Sequence, residues 1–272
     1  MKIVVTGSAG FIGKNLIKHL RDQNHDVTEF EYTENSFPDP SLYDWVIHLG
    51  AISSTTERNV ELIMNQNYEY SLKLLQMCDT MGVNFQYSSS ASVYGNTNSF
   101  IENGPVYPQS PYAWSKYLFD RFVQQAIGEF KILVQGFRYF NVYGNNEEHK
   151  GDQASPVTKF SKQAKDTGVI KVFENSDKFL RDFVCVDDVC NVHCQMLEKD
   201  TSGIFNIGTG TATSFQSVAE SVAKKYNAKI ETIPMPQALK GQYQSYTCAD
   251  LTELNKNVTI NYKTVEQYLN DQ

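Results

Sequence analysis

The sequence predicts an α/β protein, a doubly wound parallel sheet followed by a smaller C-terminal α/β lobe. Three observations carry that reading. Apolar runs at Ile3–Val5, Asp44–Ala51 and Ile132–Phe140, and a strand within Asn84–Gly95 that runs into a hydroxyl-rich turn, alternate with segments whose apolar residues recur at helical spacing, the pattern of βα units on a parallel sheet. A turn of small residues with glycine at 7, 10 and 13 joins the first run to the first helical segment. Beyond Gly144 the alternation loosens into short strands, Lys171–Phe173, Gly203–Ile207 and Lys229–Ile233, between helices with capping signals at Thr213/Gln216 and Thr264/Gln267. The predicted division is 1–150 for the sheet-bearing half and 151–272 for the lobe over its C-terminal edge.

The first unit sets the chemistry. Gly7 suits a tight turn, Gly10 a close backbone approach to a pyrophosphate, and Gly13 close packing of helix on strand. Phe11 and Ile12 then open a helix whose first amides face an anion, as in a Rossmann-type dinucleotide site. A second strand, Asp26–Glu31, ends on an acid 18 residues after Gly13. Glu31 there accepts hydrogen bonds from ribose hydroxyls and repels an added phosphate; a plain solvated charge stays open, since Glu29 lies beside it. Residues 32–43 hold Pro38 and Pro40 and are too few for a full helix and strand, so one βα unit is abbreviated. The next strand exits through Leu49-Gly50-Ala51 into the hydroxyl run from Ser53, where an open parallel sheet presents its ligand crevice.

Composition narrows the partners. With 272 residues and 41% hydrophobic content the chain buries a substantial core. Its net charge of −7 argues against nucleic acid or an anionic membrane as the main partner. The five cysteines include no CxxC pair, which suits reduced thiols in a cytoplasm. Cys190, His193 and Cys194 share a helical face, but two thiols and one imidazole leave a metal site incomplete, and no metal is predicted. No run of about 18 apolar residues is present, so no membrane span and no secretion signal are expected.

A helix over Val60–Met81 comes next, then the strand from Asn84, which runs into the hydroxyl-rich Ser88–Ser92. Tyr112 and Lys116 open another helix four residues apart and so point the same way. An ammonium beside a phenol lowers the phenol's pKa, and a phenolate takes the proton of an alcohol that is losing hydride. The glycine turn, Ser90 at a strand end and the Tyr112/Lys116 pair make a far more specific set together than apart.

Together Gly7-x-x-Gly10-x-x-Gly13, Ser90, Tyr112 and Lys116 resemble the extended short-chain dehydrogenase/reductase family, the NAD-dependent epimerases and dehydratases of nucleotide sugars. Gly50–Glu57, Phe137–Gly144, Glu148–Gly151, Arg181–Val184 and Leu239–Tyr243 look like the ADP-L-glycero-D-manno-heptose 6-epimerase branch of that family. The resemblance implies a redox epimerisation without net redox change. Tyr112 and Lys150 would act as acid/base groups on opposite sides of the reacting carbon, Lys116 would tune Tyr112, and Ser90 would bind the reacting oxygen. It also carries Gln66 and Val142 to the cofactor. Ser53, Asn141, Asp152, Lys159, Phe173-Glu174-Asn175-Ser176, Arg181 and Tyr243 fall to the sugar nucleotide, with Arg181 as the diphosphate clamp. Alone, Lys150 reads as a solvated loop lysine, and Arg181 as a partner of Asp182 or Asp187.

The departures bear on specificity. The segment after Glu31 lacks the basic residue that meets the NADP 2′-phosphate in the family, so the cofactor is NAD or NADP, with NAD favoured. Asp152, Lys159, Leu180 and Gln242 stand where the family has Ser, His, Lys and Arg, a more anionic substrate region that leaves another nucleotide sugar open. The implied function is therefore 6-epimerisation of ADP-glycero-manno-heptose. The alternatives are a 4-epimerase, reductase or dehydratase for another nucleotide sugar and, remotely, a non-catalytic dinucleotide sensor. The family also implies a homo-oligomer. A dehydratase is disfavoured because Ser89-Ser90-Ala91-Ser92 has no carboxyl pair.

Overall fold

A computed structural model of the protein describes residues 1–33, 36–54, 56–237 and 244–272. Strand β1 (Lys2–Thr6) has no solvent contact at Ile3, Val4 or Val5. Such a run fits only the middle of a sheet covered on both faces. It lies between β2 (Asp26–Phe30) and β3 (Trp45–His48), with Ile3 in register with Val27 on one side and Trp45 on the other. Outward from β3 follow β4 (Asn84–Ser90), β5 (Val134–Tyr139) and β9 (Gly203–Ile207). The order β2-β1-β3-β4-β5-β9 makes a six-stranded sheet, every neighbouring pair parallel.

Between Glu31 and Asp44 the only helical turn among the described residues is a 3-10 turn at Pro40–Leu42, capped by Asp39 through the amide of Ser41. The chain therefore crosses from β2 to the far side of β1 without adding an outer strand, and β2 is the sheet edge. The abbreviation expected from Pro38 and Pro40 is this missing strand.

Helices cover both faces. On one, α1 (Phe11–Asp22) and α6 (Val186–Met196) bury Phe11, Leu16, Leu20, Cys190 and Cys194 against Ile3, Val5 and Ile47. On the other, α3 (Tyr70–Met81) and α4 (Pro111–Ala126) bury Leu74, Leu75, Phe119 and Val123 against Val4, Val46 and Phe85. The helix expected over Val60–Met81 is present as a short α2 (Val60–Ile63), a π-helical stretch at Met64–Glu69, and α3.

The lobe has its own core. A three-stranded sheet of order β10-β8-β6 joins β6 (Asn141–Tyr143), β8 (Leu180–Cys185) and β10 (Ala212–Ser214), and β7 (Val169–Phe173) pairs in parallel with β11 (Lys229–Ile233). Helices α5 (Pro156–Thr167), α7 (Phe215–Tyr226) and α8 (Val265–Asn270) enclose Phe160, Ile170, Phe183, Val222 and Leu269. Thr264 and Gln267 form the expected capping box, whereas α7 begins at Phe215 and is capped by Ser214, whose Oγ accepts from Ser217 N (3.0 Å), one residue beyond the expected Thr213.

Gly203–Ile207, expected in the lobe, is instead the sixth strand of the main sheet, and α6 also belongs to that half. The reason is burial: Ile204, Phe205, Asn206 and Ile207 are all buried, and a short run of that kind needs cover on both faces. Among the described residues no helix is long and apolar enough to cross a membrane.

Two buried histidines are neutral. His48 is bonded to Thr6 Oγ1 (2.6 Å) and Ser71 Oγ (2.9 Å), His193 to Gln86 Oε1 (2.7 Å) and Tyr139 Oη (2.6 Å). Both nitrogens of His193 are thus occupied, which removes the imidazole from the Cys190/Cys194 face. Burial pushes both rings from 6.5 to about 3, with Lys116 adding to the effect at His48. The unfolded ring takes up a proton below 6.5 while the folded ring does not, so this stability is complete above that pH and is lost as pH falls toward 3. Urea unfolding between pH 7 and 4 is expected to show a slope of up to ~1.4 kcal/mol per pH unit for each ring, part of which His193→Gln removes.

Candidate active site

The site begins with a backbone contact. A Cβ on Gly7 would meet the nitrogen of Gly50 at 2.6 Å, and one on Gly13 would run into the carbonyl of Gly7. The turn after β1 and the turn after β3 therefore touch through bare backbone, and Gly7 adopts φ 69° to make its turn. Leu49 donates its amide to Thr6 O (3.1 Å), and Gly50 donates to Thr6 Oγ1 (3.3 Å). Helix α1 starts at Gly10 with no side-chain cap and no acid in its first turn, so its leading amides are left for an anion. Glu31 Oε1 accepts from Ser8 Oγ (2.7 Å) and Ala9 N (2.6 Å), which holds the carboxylate at the glycine turn. A narrow cradle, uncapped amides and an acid beside them fit the pyrophosphate and ribose of a dinucleotide.

The loop after β3 is tied down by Asn67. Its Oδ1 accepts from Ile52 N (2.8 Å), and its Nδ2 donates to Ile52 O (3.0 Å) and Ser115 Oγ (3.1 Å). Asn67 sits in the π-helical stretch with half-buried Gln66, and stretches of this kind recur at functional sites. Ala51 is half-buried and Ser53 exposed in this loop; Thr55 lies outside the described residues.

Ser90, Tyr112 and Lys116, the expected reacting set, are carried by β4 and α4. Ser110 caps α4 through the amide of Ala113 (3.1 Å) and Pro111 occupies its first turn, so Tyr112, Lys116 and Asp120 follow at four-residue intervals on one buried stripe. Burial raises the Tyr112 phenol, a hydrogen bond with Ser90 opposes this, and Asp120 adds a smaller upward push. Ser90 Oγ also accepts from Ser92 N (3.2 Å). Burial lowers the Lys116 ammonium to about 8, against an upward pull from Asp120. The ammonium donates to Ser88 O (2.8 Å) and Ser88 Oγ (3.3 Å). The structure thus joins Tyr112 to Ser90 and directs Lys116 to Ser88 rather than to the phenol.

Lys150 arrives on a strap. Asn15 Nδ2 donates to Phe11 O (2.9 Å) and Asn145 O (2.7 Å), while buried Glu147 accepts from Ser155 N (2.6 Å), Ser155 Oγ (2.7 Å) and Thr158 Oγ1 (2.6 Å). Between these anchors the segment 148–153 carries the Lys150 Nζ to 5.4 Å from the Phe11 ring centroid. Burial lowers this ammonium and Glu147 opposes the change. Lys150 therefore stands at the glycine turn beside Phe11, with Ile12 half-buried behind it.

Other expected substrate residues spread over the lobe. Asn141 and Val142 are half-exposed on β6, Asp152 is exposed on the strap and Lys159 is half-buried on α5. Phe173 ends β7, Glu174 is exposed, Asn175 has φ 60°, and Ser176 Oγ donates to Gln216 Oε1 (2.9 Å). Arg181 is buried over the Phe215 ring (5.5 Å) and donates to Leu180 O (2.8 Å) and Gln244 O (2.5 Å). Asp182 is committed to Thr209, Gly210 and Ala249. Gln242 and Tyr243 lie outside the described residues.

Asn67 and Asp120 were not singled out from the sequence. Asp120 could have been: it is an acid on the same helical stripe as Tyr112 and Lys116, between apolar Phe119 and Val123. Its carboxylate accepts from Tyr87 Oη (3.0 Å), Ser89 Oγ (2.9 Å) and Arg138 Nε (2.7 Å).

A dinucleotide cradle facing a Ser-Tyr-Lys set defines the class, an extended short-chain dehydrogenase/reductase. More particularly, the chain belongs to the NAD dependent epimerase/dehydratase family, whose model matches residues 3–208. Among solved structures it is similar to the ADP-L-glycero-D-manno-heptose-6-epimerase of Helicobacter pylori, at 26% identity and a TM-score of 0.86 over 99% of this chain and 94% of that one. It is equally similar in sequence, 26%, to the UDP-glucose 4-epimerase of Thermotoga maritima solved with UDP-glucose, with a TM-score of 0.85 over 99% of this chain and 96% of that one. The UDP-N-acetylglucosamine 4-epimerase of Methanobrevibacter ruminantium shares the fold at 20% identity and a TM-score of 0.87, over 99% of this chain and 97% of that one.

The cradle makes a direct prediction. Gly13→Ala forces a methyl group into the Gly7 carbonyl and is expected to cost about 1–3 kcal/mol of stability. If this turn seats the pyrophosphate, as its shape fits, calorimetry with NAD should show binding weakened at least tenfold.

Proposed function

We propose that the protein is a nucleotide-sugar epimerase that retains NAD and inverts C6 of an ADP-glycero-manno-heptose. The observation that supports this reading is that Tyr112 stands with Ser90 at the end of β4 while the strap brings Lys150 over Phe11 at the glycine turn, two groups able to transfer protons. When bound, the nicotinamide takes up and returns the hydride. Ser90 orients the reacting oxygen, and Tyr112 accepts its proton and gives it back. Inversion presents the same carbonyl in two orientations, so a second acid/base on the other side has a use, and burial of Lys150 eases release of its proton. Arg181, buried and already aligned along backbone carbonyls, is the diphosphate clamp.

NAD is favoured over NADP by Glu31. Its carboxylate is fixed by Ser8 and Ala9 where a 2′-phosphate would approach. NAD is expected to bind roughly tenfold or more tightly than NADP, about 1.4 kcal/mol. Glu31→Gln should narrow the ratio in a titration of both cofactors, and an unchanged ratio would remove Glu31 from the choice.

A 4-epimerase for a UDP-hexose is the second reading. It is favoured by exposed Asp152, which adds negative charge where the 6-epimerase pattern has serine. Exposed Trp114 and Leu118 on α4 and Val60 and Leu62 on α2 suit burial between copies in a homo-oligomer, and four buried cysteines among five unpaired thiols suit a cytoplasmic enzyme.

Proton NMR of the NAD-loaded protein with ADP-D-glycero-D-manno-heptose tests the reaction. The L-glycero epimer is expected to accumulate, about 10²- to 10⁴-fold more slowly in Tyr112→Phe. Lys150→Met should keep oxidation of the substrate and lose inversion. Turnover of UDP-glucose with an unchanged heptose would instead establish the second reading.

A further inference from the structure

Asp120 is the buried carboxylate through which helix α4 bonds to the sheet. Asp120 lies two turns beyond Tyr112 and one turn beyond Lys116, is fully buried, and takes hydrogen bonds from Tyr87 and Ser89 of β4 and from Arg138 of β5. Those strands end at Ser90 and Tyr139, which are in register with each other. Arg138 is fixed from its other side by Tyr94 Oη (3.1 Å) and Glu102 O (3.0 Å), and Tyr94 is bonded in turn to Asn206 on β9. The carboxylate is therefore braced against three strands and faces Lys116 along the helix.

We propose that Asp120, held by Arg138, is a positioning residue for the reacting set: it fixes α4 on β4 and β5 so that Tyr112 meets Ser90, and it supplies the negative charge that keeps Lys116 an ammonium. The proposal rests on the reading of Tyr112 and Lys116 as the reacting pair. Without Asp120, the groups facing Lys116 would be Tyr112 on α4, Ser88 on β4 and His48 on β3. Arg138 would remain nearby as a second buried cation. Of these only the Ser88 oxygens favour an ammonium, and neither carries a charge. Tyr87 and Tyr139 add no anion at neutral pH, since burial raises both phenols well above their usual range. A purely structural ion pair would fix the helix without setting the sign of the charge at Lys116.

That sign is measurable. In NAD-loaded protein labelled with ε-¹³C lysine, the Lys116 resonance is the one absent from Lys116→Arg, and its titration can be followed without any substrate. Asp120→Asn is expected to move that titration down by about a unit or more and Arg138→Met to move it up, while Asp120→Glu stays near wild type. Should Asp120→Asn fail to fold, the double variant Asp120→Asn/Arg138→Met leaves no unpaired charge and is expected to show the downward shift. An unchanged Lys116 titration without the carboxylate, or shifts of the same sign in both single variants, would overturn the proposal.

The alkaline limb of kcat, measured with whichever of ADP-heptose or UDP-glucose the wild type turns over, should follow the same shifts with KM little changed. If neither sugar is turned over the functional reading fails, and the lysine titration still decides the role of Asp120.

Discussion

The contact between the bare backbones of Gly7 and Gly50 is the constraint on which the remaining architecture rests. It exists because the chain leaving β1 turns toward β2 while the chain leaving β3 turns the other way toward β4, which opens a crevice between the two strands. The crevice admits a pyrophosphate only if α1 begins very close to the sheet, and Gly13 makes that possible. The consequence is electrostatic. A helix start without a side-chain cap leaves amide donors poorly satisfied in the protein alone, so this part of the fold gains most from an anionic ligand. Loss of the outer strand beyond β2 does not disturb the arrangement, because Glu31 is anchored inward by Ser8 and Ala9 rather than outward by a neighbouring strand.

Around this cradle the interior is more polar than an α/β sheet requires. Gln86 and Gln135 are bonded to each other between the strands and α6, and His193, His48, Asp120 and Arg138 are each buried and each paired. An unpaired group in such surroundings costs about 1–3 kcal/mol and a charge considerably more. These positions therefore permit few arrangements, whereas an apolar layer would let a helix slide. The bonded groups lie where sliding would matter: Gln86 and Gln135 under α6, and Asp120 under the helix that carries Tyr112 and Lys116.

What was legible in the sequence was local. Apolar runs located β1, β3 and β5, the stretch from Asn84 into a hydroxyl-rich turn located β4, the glycines located the tight turn after β1, and Pro38 and Pro40 marked the abbreviated connection. The four-residue step from Tyr112 to Lys116 placed both on one face. The less legible features depend on partners distant in sequence. Gly203–Ile207 reads as a lobe strand until Gln135–Tyr139 is seen to lack a neighbour on its outer side. The π-helical stretch that brings Asn67 to Ile52 has no composition signal, and Thr213 and Ser214 are equally good caps until the start of α7 at Phe215 selects Ser214. Lys116 is the instructive case. Helical spacing gives the side of the helix but not the acceptor, which Ser88 supplies from another strand.

The strap explains how the two halves of the site are kept in step. From Phe11 O the hydrogen bonds run through Asn15 to Asn145, with Asn146 returning to Asn15 Oδ1 (3.1 Å). Next in the chain, Glu147 receives Ser155 and Thr158 at the start of α5. Tyr268 of α8 adds a bond to Asn145 Oδ1 (3.1 Å). Lys150 is therefore suspended between the first turn of the cofactor helix and the first turn of a lobe helix that carries Lys159. Its ammonium is not free to follow solvent as an ordinary loop lysine would. A shift of either α1 or α5 would reach it through short, directional bonds. On the epimerase reading proposed above, in which one intermediate is held over one cofactor while its face is exchanged, a proton-transfer group tied to both halves has a clear advantage over one carried by either alone.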